Sequence, residues 1–109
     1  MPRHRTEAAA VDDITALLTR RGAWWFKTTG VRRVGVPDLV ACYRGRFVAL
    51  EVKRAHRGAG HPVSAAQRVT LEQIRRRAGH TAVVTTTDEA AAVLDAIDHL
   101  IATTTPEAA

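Results

Sequence analysis

Cysteine occurs once, at Cys42, which excludes an internal disulfide and any metal centre built on paired thiolates. The five histidines do not compensate, because none of their spacings matches a zinc-ligand pattern. No apolar run approaches the ~20 residues of a membrane-spanning helix. The N-terminal residues set Arg3 and Arg5 beside Glu7, Asp12 and Asp13, with no apolar signal core. A reducing, cytoplasmic setting without a membrane partner is the expectation. Repeats and low-complexity linkers are also missing, and 109 residues leave room for one domain only. Apolar content of 46% is enough for a single hydrophobic core at that length. The domain is expected to fill the chain, with flexible ends at about 1–5 and 104–109.

Basic residues are absent from the last part of the chain. All 16 Lys and Arg lie in the first 87 positions, beside only six acids, a local balance of +10. The rest carries Asp88, Glu89, Asp95, Asp98 and Glu107 and no Lys or Arg. A basic body with an acidic final segment suits a polyanion on one face and solvent or a partner on another. Solubility alone would explain the same charge.

Residues 6–21 read as a helix capped by Thr6, with Ala10, Ile14, Leu17 and Leu18 as its apolar stripe. The aromatic run 23–28 reads as a strand, with Trp24 and Phe26 expected in the core and Trp25 and Lys27 on the other face. Strands over 38–43 and 46–53 form a hairpin across Arg44-Gly45. Ser64 and Gln67 have the spacing of a capping box for a helix running to Ala78, with Gly79 as its stop. A β-branched strand over 81–85 and a helix from Thr86 or Thr87 complete the order αβββαβα. Both hairpin strands are apolar on both faces, so helices are expected on each side of a mixed sheet. The class is α/β.

The chemistry-bearing pattern is Pro37-Asp38, twelve intervening residues, then Glu51-Val52-Lys53. Strand alternation puts Glu51 and Lys53 on one face, roughly 6–7 Å apart along the strand. The hairpin then brings Asp38 beside Glu51. Two carboxylates, with the Val52 carbonyl as a third oxygen, suit a hard cation such as Mg²⁺ or Mn²⁺. Such an ion polarises a phosphoryl oxygen and lowers the pKa of water, and Lys53 would steady the developing negative charge. An acid and a lysine two apart on a strand are often only a solvated face. Their convergence with Asp38 on an otherwise apolar sheet, a poor place for unpaired charge, favours a ligand.

These residues resemble the PD-(D/E)xK nuclease superfamily, and most closely the stand-alone VRR-NUC domains and their Holliday-junction-resolvase-like relatives. Gly35, Pro37, Asp38, Gly45, Glu51, Val52, Lys53, Ser64, Gln67 and Gly79 carry the likeness, which runs from the first helix to the last. The resemblance implies a restriction-endonuclease-like core, a divalent metal and hydrolysis of DNA phosphodiesters. It assigns Asp38 and Glu51 as metal carboxylates and Lys53 as the catalytic lysine. It adds Glu7 as a third acid, for which a helix-dipole role is the plainer alternative. It also adds Gln67, which capping alone would explain equally well.

Around this site the chain is cationic. Arg54, His56, Arg57 and His61 follow Lys53, Arg32 and Arg33 precede Asp38, and Lys27 lies on the first strand. Contacts to DNA phosphates are expected from all of them, against the alternative of solvated loops. The leading reading is a metal-dependent DNA endonuclease, with branched or flapped DNA in view and repair, recombination or phage replication as settings. One small site cuts one strand, so paired cuts call for a homodimer. A catalytically inactive DNA-binding module is the alternative, and a protein-interaction domain using the acidic last helix is a third.

Overall fold

The computed structural model of the chain describes residues 6–53 and 63–104. Its elements are α1 (Glu7–Arg20), β1 (Trp24–Lys27), β2 (Leu39–Tyr43), β3 (Arg46–Val52), α2 (Ala65–Arg76), β4 (His80–Val84) and α3 (Thr87–Thr104). The expected flexible ends at 1–5 and 105–109 lie outside the described residues, while Thr104 still belongs to α3.

The sheet runs β1-β2-β3-β4, antiparallel across the first two pairs and parallel across the last. Local chemistry fixes the hairpin. Arg44 and Gly45 both adopt positive φ, 51° and 80°, the pairing that a two-residue turn needs to match strand twist. The register follows, with Leu39 opposite Leu50 and Ala41 opposite Val48.

One sheet face presents Leu39, Ala41, Tyr43, Val48, Leu50, Val52 and Val84 to α1 and α3. The α1 stripe Ala10, Ile14, Leu17 and Leu18 and the α3 residues Ala90, Leu94 and Ile97 close this core. Truncating a fully buried Ile14 or Leu18 to alanine would cost about 2–5 kcal/mol. At the hairpin end, Asp98 of α3 accepts hydrogen bonds from Tyr43 Oη at 2.8 Å, Arg44 at 2.8 Å and Arg21 at 3.0 Å. Asp95 takes a second bond from Arg21. These two acids of the last helix are therefore engaged within the molecule.

The opposite face is only partly covered. Helix α2 packs beside β4, reaches Glu51 of β3 through Gln67, and leaves much of β1 and β2 bare. Here the expectation for β1 is corrected: Trp24 is 65% and Phe26 42% exposed, whereas Trp25 packs against the core. The pairing of Trp25 with Ala41 decides the matter, because Ala41 faces α1. Trp25 also donates its indole N–H to Thr19 at 2.8 Å. The stop of α2 is corrected too. Ala78, not Gly79, takes the left-handed conformation at φ 68°, and Gly79 donates to the Ile74 carbonyl at 2.9 Å. Its missing Cβ leaves room for the Ile74 side chain.

Candidate active site

The site forms where the end of β3 meets the start of β2 on the α2 side of the sheet. Extending the β2–β3 register by one pair sets Asp38 opposite Glu51. Asp38 Oδ2 accepts the Val52 backbone N–H at 2.8 Å, which turns the carboxylate toward β3. The segment before it is held by Thr28. Its hydroxyl donates to the Pro37 carbonyl, and its N–H donates to the Asp38 carbonyl at 3.0 Å.

Glu51 is the unusual group: it is a carboxylate only 2% exposed. Its Oε2 accepts from Gln67 Nε2 at 2.7 Å and lies 3.2 Å from Lys53 Nζ. Its Oε1 is buried and has no hydrogen-bond partner. Burial first, and the nearby Asp38 charge second, push the Glu51 carboxyl above its ordinary range, against the pull of Lys53 and Gln67. A buried carboxylate with one oxygen unused is costly for a fold to keep.

Gln67 reaches Glu51 because its amide is fixed at both ends. Ser64 Oγ accepts the Gln67 backbone N–H at 3.1 Å, and Gln67 Oε1 accepts the Ser64 N–H at 3.1 Å. With the amide oxygen so engaged, the amide NH₂ is left to point at Glu51. Capping and site contact are two ends of one side chain. The helix is in turn seated by Gly35, whose φ of +85° and close approach exclude a side chain. A Cβ there would lie 2.6 Å from the Ala66 carbonyl oxygen. Ala66 precedes Gln67, so the Gly35 contact sets the height of the glutamine above the sheet.

Of the residues singled out from the sequence, Asp38, Glu51, Lys53 and Gln67 come together, with the Val52 backbone between them. Glu7 opens α1, which packs on the other face. Among the described residues no three His, Cys, Asp or Glu side chains form a group able to hold a metal, so Glu7 is not brought to the Asp38–Glu51 pair. Lys27 also turns away, with Nζ 3.7 Å from Asp12 of α1. Arg32 and Arg33 are exposed in the loop before Asp38. Arg54, His56, Arg57 and His61 lie outside the described residues. Thr28 was not legible as a site-supporting residue, because its bonds exist only once the β1–β2 pairing is known.

The donor chemistry fits a hard divalent ion. It offers two carboxylates, one of them with an orphaned buried oxygen, and no soft ligand among the four clustered side chains. No family model and no curated protein matches the sequence. A solved VRR_NUC domain is similar in structure, with a TM-score of 0.66 over 82% of this chain and 94% of that one, at 21% identity. The chain thus has the VRR-NUC, restriction-endonuclease-like fold that the resemblance implied.

Proposed function

We propose that this domain is a nuclease that hydrolyses DNA phosphodiester bonds with the help of Mg²⁺ or Mn²⁺, using Asp38, Glu51 and Lys53. The observation that carries this reading is the buried Glu51 carboxylate, tied at Oε2 by Gln67 and Lys53 and unpartnered at Oε1. Asp38, Glu51 and the Val52 carbonyl would hold the ion. When bound it would supply Lewis-acid polarisation of the phosphoryl group and a nucleophile at neutral pH.

The chain's own residues have separate tasks. Lys53, with 22% of its side chain exposed, keeps its ammonium at the mouth of the site, where it can meet a phosphate oxygen and offset the growing charge. Gln67 prevents Glu51 from swinging and spares Oε1 for the ion. Asp38 is locked by the Val52 N–H. The basic body draws the polyanion in, and Arg32 and Arg33 flank the approach to Asp38. Arg54, His56, Arg57 and His61, which follow Lys53 in the sequence, would add further phosphate contacts. Glu7 would serve as a third acid from the start of α1, and Lys27 would leave Asp12 to meet a phosphate.

Branched or flapped DNA is the proposed substrate class, with a homodimer supplying paired cuts. The presence of Asp38, Glu51 and Lys53 in one cluster counts against an inactive DNA-binding module. The test is incubation of labelled junction, flap and duplex DNA with the protein in Mg²⁺ or Mn²⁺, and in chelator. Cleavage that requires the metal is expected. Salt-sensitive DNA binding with no cleavage under any metal would leave only the binding module.

A further inference from the structure

The bare part of the α2 side of the sheet is a groove of about 640 Å³, within the range of clefts that take organic ligands. Phe26, Val40, Phe47 and Ile74 form its walls, and Pro37 closes the end nearest the site. Phe26 is 42% and Phe47 47% exposed. Trp24 stands beside Phe26 in an edge-on pair with centroids 5.6 Å apart, extending the aromatic surface along the strand. Two cations, Arg33 and Arg77, lie on the lining, and no Asp or Glu is among the described lining residues. The groove neighbours the Asp38–Glu51 cluster along the chain at two points. Pro37 precedes Asp38, and Thr70, also on the lining, is one helical turn beyond Gln67.

We propose that this groove takes unpaired bases of single-stranded DNA leading away from the scissile phosphate. Aromatic faces interleaved with arginine are the chemistry that binds single strands, because every base has a π face and every linkage a negative charge. The charge pattern separates this occupant from a second copy of the chain. A two-fold contact through the same surface would bring two copies of a lining with Arg33 and Arg77 together, with no acid among the described lining residues to meet them. That the ligand is DNA rests on the nuclease reading above; that the groove stacks bases does not depend on cleavage.

The experiment is therefore a binding measurement in chelator. Fluorescence anisotropy would compare a labelled oligothymidine with an abasic strand of equal length and charge. The oligothymidine should bind about tenfold more tightly, and Phe26→Ala and Phe47→Ala should each remove most of that difference. Both side chains are substantially exposed, so their truncation leaves the core intact. Trp24→Phe, which keeps a stacking ring, should retain the preference. Equal affinity for the two strands would overturn the proposal even if the protein cuts DNA. So would unchanged base preference in Phe47→Ala with loss of a dimer in sedimentation, which would give the groove to a second copy. Absence of cleavage when Mg²⁺ or Mn²⁺ is added, with the base preference intact, would sink the nuclease reading alone.

Discussion

Replacing Glu51 with glutamine should make the metal-free protein more stable while abolishing its activity. The carboxylate is 2% exposed, has one unpartnered oxygen, and lies within reach of the Asp38 charge. Glutamine preserves the shape and keeps an acceptor for Gln67 Nε2, now 2.7 Å from Glu51 Oε2. Asp38, which repels the carboxylate, would attract an amide. Relieving a half-satisfied buried charge stabilises by about 1–3 kcal/mol. Loss of the partly exposed Lys53 pair costs about 1 kcal/mol at most. A net gain of about 1 kcal/mol would raise Tm by roughly 4–8 °C in a domain of this size.

The pH dependence has a definite sign. The Glu51 pKa is raised in the folded state, so the folded protein binds the proton more tightly and its stability falls as pH climbs from the ordinary value of 4.5 through the raised one. The gain from Glu51→Gln should thus be full above that window and vanish below 4.5. Calorimetry in chelator measures both effects. Addition of Mg²⁺ should then stabilise the wild type and leave the variant unmoved, because the variant lacks one of the two carboxylates proposed to hold the ion. A variant less stable than the wild type at every pH in chelator would refute the reasoning. Glu51 and Lys53 would then be a structural ion pair.

Ser64→Ala should lower stability by about 1 kcal/mol in a denaturant titration. It should also slow cleavage, because Gln67 loses the cap that fixes its helical turn; Ser64→Thr should recover both. Gly35→Ala should cost at least about 1 kcal/mol, since the position combines positive φ with contact at the Ala66 carbonyl. Its turnover should fall too, as α2 rises away from Glu51. Asp98→Asn should reduce Tm at neutral pH. The Asp98 carboxyl is held below its ordinary 3.8 by Arg44, then Tyr43 and Arg21. Its contribution is present above that value and fades as pH drops through the depressed one, so the two melting curves should merge in acid.

Much of this arrangement could be read from residue order. The capping pairs Ser64/Gln67 and Thr86/Glu89 mark the starts of α2 and α3, and both are formed. Arg44-Gly45 gives the hairpin, and period-two alternation then sets Glu51 and Lys53 on one face beside Asp38. What could not be read depends on contacts distant in sequence. Four residues, Trp-Trp-Phe-Lys, carry an aromatic on each face, and only the pairing with Ala41 tells which of them α1 will cover. Apolar residues on both faces of the hairpin strands called for helices on each side of the sheet, and both sides carry one. They did not reveal that α2 would reach only half of the second face and leave a groove. Gln67 was open between a capping role and a place beside Glu51, and one side chain does both, its oxygen meeting Ser64 and its nitrogen Glu51.

The most direct test of the central claim is single-turnover cleavage of a labelled DNA flap in Mn²⁺ by Glu51→Ala and Lys53→Ala, with DNA affinity measured alongside. Both variants should bind the flap about as well as the wild type and cut it at least a hundredfold more slowly. Wild-type cleavage rates in either one would contradict the assignment of this cluster as the place where the phosphodiester is broken.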